Sequence, residues 1–197
     1  MAQDWPINQW AKIANFGPQT INSIAGIAYG SRITDKYGSE SDYDLAVIIP
    51  AMPNKEEIRW AKRILEEKTG LSIDLFFASP AGIQARKTMD PMIHSLLKTG
   101  QLLWGELGDW WNLEPFAADG VEDALITVES LTDTGDFTDL TPGIAEYSWR
   151  LLDGAWAAWR GEKLGKRKRL PLPEEMSRSI ANLRNTIRNN LQGGTVK

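Results

Sequence analysis

Two short motifs ten residues apart constrain this chain more than any other feature. The first is Gly30-Ser31, which follows the apolar run Ile24 to Tyr29. The second is an Asp-Tyr-Asp motif, Asp42 to Asp44, which heads the apolar run Leu45 to Ile49. Short apolar runs bounded by glycine or polar residues are typical of buried strands. The sequence therefore predicts two strands joined by a polar segment that returns Asp42 to the side of Gly30.

The Gly30-Ser31 turn has the composition of an oxyanion site. A glycine lets the backbone approach a ligand with no Cβ in the way. Backbone N–H groups at the start of a helical turn, with a serine hydroxyl beside them, suit a phosphate. We therefore predict that this turn binds a phosphate group.

Three carboxylates are predicted to form a metal site. Asp42 and Asp44 share a face because side chains alternate along a strand, and Mg²⁺ prefers a few carboxylates together with phosphate oxygens. A third, Asp74, lies inside the apolar run Leu71 to Phe77, where an unpaired buried charge would be costly. Asp74 therefore either faces solvent or joins the same metal site, and we favour the metal site.

This pattern resembles the DNA polymerase β-like nucleotidyltransferase superfamily, and within it the minimal nucleotidyltransferase (MNT) and aminoglycoside nucleotidyltransferase-like branch. The resemblance extends over about Ile7 to Gly105. It implies an α+β nucleotidyltransferase fold, in which a mixed sheet is flanked by helices, followed here by a C-terminal α-helical domain. The expected domains are residues 1–105 for the nucleotidyltransferase part and 106–197 for the helical part with an acidic linker.

The resemblance also implies the reaction. A nucleoside monophosphate would pass from an NTP, with ATP expected, to a hydroxyl acceptor, and pyrophosphate would be released. By analogy, Asp42 and Asp44 bind both of two Mg²⁺ ions, and Asp74 binds the ion that activates the acceptor. The acceptor is left open among a small molecule, a protein and RNA.

The same resemblance supplies the nucleotide-binding set. Ser31 is expected to contact the terminal phosphates, with Gly30 beside it. Arg32 and Ser41 border the polar segment and are included in the set. Arg32 follows the phosphate turn, where it would either bind the triphosphate or be a solvated cation in a loop, and the sequence favours neither alternative.

Composition excludes several other chemistries. The chain has no cysteine, which excludes disulfides, thiolate catalysis and cysteine-based metal sites. His94 is the only histidine, which disfavours Ser-His-Asp and zinc mechanisms, and we expect it to be a surface or satisfied core residue. The chain lacks a long apolar run and its first residues do not resemble a signal peptide. We therefore expect a cytoplasmic protein with no membrane partner.

Charge is distributed unevenly and leaves alternatives open. Residues 105–144 carry ten acidic and no basic residues, whereas residues 145–197 carry eleven basic and five acidic ones. The acidic stretch is predicted to be solvated surface, although one of its carboxylates would suit the base that deprotonates the acceptor. The basic run Lys163 to Arg169 is predicted to be an interhelix loop or a site for RNA backbone, which keeps RNA 3′-end nucleotide addition as an alternative. A non-catalytic antitoxin-like protein, with a toxin or a second copy as partner, is the other alternative.

Helix signals complete the prediction for the N-terminal half. Asn54 followed by Glu57 predicts a capping box, and Gly70 predicts the C-cap of the same helix, which would connect the two acidic strands. Gly17-Pro18 is predicted to end an opening helix. After an irregular segment from Pro80, one helix is predicted over Pro91 to Leu103.

The C-terminal half is predicted to be helical. One helix is expected within Val121 to Leu131, a second begins at Thr141-Pro142, and a third runs from Pro173 to about Leu191. The second helix carries an apolar stripe that starts at Ile144 and contains tryptophans. Aromatic residues at helical spacing indicate core more often than a base-stacking surface.

Overall fold

The computed structural model describes residues 7–33, 41–131, 137, 140–162 and 173–192. These residues divide into two compact units. The first draws its described residues from Met1–Ala85 and Leu96–Asn112, and the second from Arg86–Ser95 and Leu113–Lys197. The predicted basic loop, Lys163 to Arg169, lies outside the described residues.

The first unit is built on a mixed four-stranded sheet. The order across the sheet is β3-β2-β1-β4, in which β1 is antiparallel to both β2 and β4, and β2 is parallel to β3. The two predicted acidic strands are therefore neighbours, as a helical crossover between parallel strands requires. The strands are β1 (Ala25–Tyr29), β2 (Tyr43–Ile48), β3 (Ile73–Ala78) and β4 (Gln101–Gly105).

Helix α2 (Lys55–Thr69) is the crossover between β2 and β3, and its ends confirm the predicted caps. The Asn54 side chain accepts hydrogen bonds from the backbone N–H groups of Glu56 and Glu57, and the Glu57 carboxylate accepts one from the Asn54 N–H at 2.8 Å. Gly70 ends the helix in the left-handed conformation, with φ of 69°. Both caps were predictable from sequence because each satisfies backbone groups that the end of a helix leaves unpaired.

Helix α1 (Ile7–Thr20) does not end where predicted. It continues through Gly17-Pro18 into a last turn. A proline there lacks the N–H that would donate to Ala14 O, but the chain continues to make helical bonds beyond it. Ile21 N–H donates to Gly17 O at 2.9 Å, and the Thr20 hydroxyl donates to Phe16 O at 2.9 Å. Gly17 has a second role, since a Cβ there would lie 2.4 Å from the Trp104 ring.

The segment after β3 also differs from the prediction. It contains a helix, α3 (Pro80–Arg86), whose start is signalled by Ser79, because the Ser79 hydroxyl accepts a hydrogen bond from Gly82 N–H at 3.0 Å. The predicted helix over Pro91 to Leu103 is two elements, α4 (Pro91–Thr99) and strand β4. Gly100 separates them, and the apolar residues after it pair with β1 instead of continuing the helix.

The second unit contains three helices among its described residues beyond 112, and they enclose a separate core. They are α5 (Ala118–Glu129), α6 (Pro142–Trp159) and α7 (Pro173–Gln192), close to the predicted bounds. The core contains Val121, Leu152 and Ile180, and Trp156 and Trp159 pack against it at its edge. The predicted stripe on α6 is wrong at Ile144 and Tyr147, which are exposed, whereas Ala145 and Ser148 are buried.

The arrangement of a mixed sheet with helices, followed by helices alone, confirms the predicted α+β class. No helix in the described ranges is long and apolar enough to span a membrane.

Candidate active site

The predicted phosphate turn and the predicted carboxylates lie at the same end of the sheet. Strand β1 ends at Tyr29, Gly30 follows, and a short 3₁₀ turn covers Ser31–Ile33. Because β1 and β2 are antiparallel, the end of β1 is beside the start of β2, and Tyr29 is paired with Asp44. The chain thus brings Ser31 and Asp44 to one edge without any long-range rearrangement.

Asp44 and Asp74 are direct neighbours across the parallel strands. Their Cα positions are register partners between β2 and β3. Partners in a parallel pair lie about 4.8 Å apart and project to the same face. Asp44 is half-buried and Asp74 is exposed, so their side chains line a surface that solvent reaches. Asp74 is thus both solvent-exposed and beside Asp44, and the two predicted alternatives do not exclude each other.

The carboxylates lie on the face of the sheet away from the core of the first unit. Tyr43 and Leu45 alternate with Asp44 and belong to the buried cluster that contains Trp10 and Leu65 of α1 and α2. Since side chains alternate along β2, Asp44 projects to the other face. The core thus fixes the strand, and the strand orientation fixes the direction of the carboxylate.

Asp42 lies immediately before β2 and is exposed. The next residue, Tyr43, is already hydrogen-bonded to the segment before β3, because its N–H donates to Ser72 O at 2.9 Å. Within the described ranges, no three Asp, Glu or His side chains stand close enough together to hold a metal ion as they are. The donor chemistry of Asp42, Asp44 and Asp74, three hard carboxylates of which two are in register, nevertheless fits Mg²⁺.

Gly30 is required by the position of the Asp44 carboxylate. Its φ is 79°, in the left-handed region, and an added Cβ would lie 1.9 Å from Asp44 Oδ2. The sequence predicted that this glycine allows a close approach to a ligand. The structure adds that the Asp44 carboxylate itself occupies the space above Gly30, so the turn and Asp44 are in close contact.

Arg32 and Ser41 contact each other. Arg32 Nε donates to the Ser41 carbonyl at 2.7 Å, and Nη2 of the same guanidinium donates to the same oxygen. The guanidinium carbon also lies 4.2 Å from the ring centroid of Tyr43. Tyr43 was not predicted to belong to the site, and its position between two aspartates was the available signal.

Three polar residues of the second unit, His94, Asp153 and Lys87, are buried or half-buried, and only His94 was the subject of a prediction. His94 is buried and packs edge-on against Phe116, with ring centroids 5.4 Å apart, as expected of a core histidine. Asp153 on α6 is half-buried, and burial, reinforced by the charge of Glu162, raises the pKa of its carboxyl. The nearly buried Lys87, which pairs with Glu114, was not predicted.

Comparison with known families matches one model to the sheet region. The family model described as "Polymerase beta, Nucleotidyltransferase" matches residues 11–106. This range contains all seven predicted site residues. A search of curated proteins found no match.

Several solved structures have a similar fold. The spectinomycin adenyltransferase AAD(9) from Enterococcus faecialis, solved with ATP and spectinomycin, is 13% identical, with a TM-score of 0.51 over 92% of this chain and 98% of that one. A toxin-antitoxin structure with AMP-PNP is 19% identical, with a TM-score of 0.40 over 62% of this chain and 90% of that one. A complex of the tri-AMPylated HEPN toxin with MNT antitoxin from Shewanella oneidensis is 20% identical, with a TM-score of 0.35 over 63% and 89%.

Proposed function

Because residues 11–106 of this chain belong to the polymerase β nucleotidyltransferase family, we propose that the protein transfers a nucleoside monophosphate from an NTP to a hydroxyl acceptor. The acceptor oxygen attacks the α-phosphorus and forms a new P–O bond. The bond between the α-phosphorus and the bridging oxygen to the β-phosphate breaks, and pyrophosphate leaves. The acceptor proton passes to a base that we leave unassigned.

A single observation supports this proposal most strongly. Asp44 and Asp74 are register partners on neighbouring strands, and the Asp44 carboxylate fills the space above Gly30 at the start of the turn. Two carboxylates on neighbouring strands that face the same way are a typical donor set for a hard cation such as Mg²⁺. A turn with glycine and serine beside such a pair supplies the complementary site for phosphate oxygens.

The residues of this site would divide the work between cation and phosphate. Asp42, Asp44 and Asp74 would hold Mg²⁺, two ions by the family resemblance, which supplies charge neutralisation for the phosphates. Backbone N–H groups of the turn and the Ser31 hydroxyl would orient the β- and γ-phosphates. Gly30 would leave room for the Asp44 carboxylate beside the turn. In phosphoryl transfer the protein contributes mainly by such positioning.

Nucleotides labelled at different phosphates test the reaction directly. The purified protein is incubated with Mg²⁺, a cell lysate and ATP labelled at either the α- or the γ-phosphate. We expect label from α-labelled ATP to enter an acceptor, whereas γ-labelled ATP should leave its label in pyrophosphate. Spectinomycin is a first defined acceptor to add, because the fold relative was solved with ATP and this compound.

Asp44→Asn keeps the shape of the side chain and removes its charge, so it should abolish the transfer. Asp123→Asn is the matched control, because Asp123 is an exposed acidic residue on α5 in the other unit. Equal labelling by wild type and Asp44→Asn would refute the assignment.

The fate of the label distinguishes the alternatives. Ribonuclease-sensitive label would indicate RNA 3′-end addition, and binding to that RNA should then weaken steeply with salt. A complete lack of transfer with any of the four NTPs would favour a non-catalytic antitoxin-like partner. Label in a protein or in a small molecule would identify the acceptor class.

A further inference from the structure

Arg32 rests on an aromatic pair that belongs to the core. Trp10 of α1 packs edge-on against Tyr43, with ring centroids 5.0 Å apart. The Arg32 guanidinium lies over the Tyr43 ring, 4.2 Å from its centroid. Trp10 and Tyr43 are 2% and 5% exposed. The guanidinium is therefore seated on a rigid, buried support, where a cation–π contact is stronger than at an open surface.

The same guanidinium grips the backbone just before the acidic motif. Two of its N–H groups, on Nε and Nη2, donate to the carbonyl of Ser41. A planar fork of this kind fixes both distance and orientation, which a lysine ammonium does not reproduce. Arg32 thus links the 3₁₀ turn that begins at Ser31 to the residue that precedes Asp42.

The location of the guanidinium favours a role away from the nucleotide. Tyr43 projects into the core of the first unit, whereas Asp44 projects to the opposite face of the sheet. Because Arg32 lies over the Tyr43 ring, its charge is on the core side of the strand. Its contacts with Ser41 and Tyr43 hold the chain on both sides of Asp42.

We propose that Arg32 is a positioning residue, which holds the Ser31 turn and the acidic motif in register by stacking on Tyr43 and binding the Ser41 carbonyl. This inference rests on the proposed function, since it assigns a task within the same site. It replaces the expectation that Arg32 contacts the triphosphate. A positioning role and a direct contact with the triphosphate predict opposite effects on nucleotide affinity for Arg32→Lys and for the loss of the Tyr43 ring.

Affinity for Mg·ATP, measured by calorimetry, distinguishes these roles without a known acceptor. Arg32→Ala should weaken binding about tenfold, which corresponds to about 1.4 kcal/mol. Arg32→Lys should fail to restore it. Tyr43→Leu should weaken binding by a similar factor, and the double variant Arg32→Ala/Tyr43→Leu should be no worse than either single one, because both remove one unit. Tyr43→Phe keeps the ring and should stay within about twofold of wild type.

The role is overturned if Arg32→Lys binds Mg·ATP as wild type does, or if Tyr43→Leu leaves the affinity unchanged while Arg32→Ala lowers it. Either result would indicate that Arg32 supplies a charge to the phosphates. Leu65→Ala controls for general destabilisation, since Leu65 is fully buried in the same core on α2. It should lower the melting temperature without changing affinity well below that temperature.

A second measurement keeps this inference separate from the proposed function. In ligand-free protein, the backbone amide resonances of Gly30 and Asp44 should shift in Arg32→Ala and in Tyr43→Leu, and much less in Tyr43→Phe. If wild type binds no Mg·ATP, the nucleotidyltransferase proposal fails, and these resonances alone decide whether Arg32 sets the geometry of the turn. Unchanged resonances in both Arg32→Ala and Tyr43→Leu would contradict the positioning role.

Discussion

The acidic end of the sheet and the core of the helical unit hold polar groups in two different ways. At the sheet end, two like charges, Asp44 and Asp74, are kept in register on neighbouring strands. In the helical unit, the hydroxyl of Ser148 on α6 is fully buried, and it has no hydrogen-bond partner among the described residues. The first arrangement serves cation and phosphate binding in the proposed function, whereas the second serves no purpose that the structure shows. Removal of a polar group should therefore lower activity strongly at the sheet end and leave the helical unit intact or more stable.

After Asp44→Asn, the next largest effect is expected from Gly30→Ala. The new Cβ would meet the Asp44 carboxylate at 1.9 Å, so the carboxylate and the turn must both move. We expect transfer of labelled AMP to fall by about a thousandfold, because catalysis of this kind depends on positioning and on preorganised donors. Single-turnover rates with α-labelled ATP measure the loss.

Gly70→Ala is the matched control for backbone strain. Gly70 has a φ of 69°, close to that of Gly30, but nothing lies within 4 Å of its added Cβ. Both substitutions place alanine in the left-handed region, at a cost of about 1–2 kcal/mol of stability from the backbone alone. Only Gly30→Ala should lose activity. Equal activity losses in the two variants would show that strain, and not the Asp44 contact, explains the effect.

A smaller effect on activity, with the opposite effect on stability, is expected from Asp74→Asn. The substitution removes one of the two neighbouring charges, so transfer should fall by about a hundredfold while the melting temperature rises by a few degrees. The stabilisation should shrink in concentrated salt, because salt screens the repulsion between exposed charges. Thermal unfolding in low and high salt measures it, and a lower melting temperature in both would contradict a repulsive pair.

Much of the acidic end was predictable from sequence because local rules determine it. The period-two alternation of β2 and its register with β3 put Asp44 and Asp74 on one face, and the capping residues of α2 set the length of the crossover that brings β3 alongside β2. A helical crossover of this length makes β3 parallel to β2, and Asp74 then lies on a strand next to Asp44. The family match over residues 11–106 confirmed the resemblance that these residues suggested.

The contacts that refine the site were not predictable, because they depend on packing between distant segments. Nothing local indicates that the Asp44 carboxylate would fill the space above Gly30, or that Arg32 would lie over Tyr43. Strand β4 was not predicted for the same reason. Its apolar residues continue the helical pattern of α4, and only the pairing with β1 makes them a strand. The assigned roles in metal and nucleotide binding stay predictions.

Two buried hydroxyls, Thr69 in the first unit and Ser148 in the second, extend the comparison, and their removal should have moderate effects on stability. The Thr69 hydroxyl at the end of α2 donates to Leu65 O at 2.6 Å and accepts from Leu71 N–H at 3.3 Å. Thr69→Val should therefore destabilise the first unit by about 1 kcal/mol, because it removes the acceptor of the part-buried Leu71 N–H. Ser148→Ala should instead be neutral or stabilise by up to about 1 kcal/mol. Urea unfolding measures both, and destabilisation by Ser148→Ala would reveal a partner for its hydroxyl.

The smallest effect should depend on pH and come from Asp153 in the helical unit. Burial, with the charge of Glu162 as a second cause, raises the pKa of its carboxyl above the ordinary 3.8. A raised pKa means that the folded state binds the proton more tightly, so stability is lost as pH rises from 3.8 through the folded pKa, and the whole penalty is present at neutral pH. Asp153→Asn should therefore raise the melting temperature slightly at pH 7, and this gain should disappear below about pH 3.8. The exposed Asp123→Asn control should show no such dependence, and a gain for Asp153→Asn that persists at low pH would instead indicate better packing of the amide.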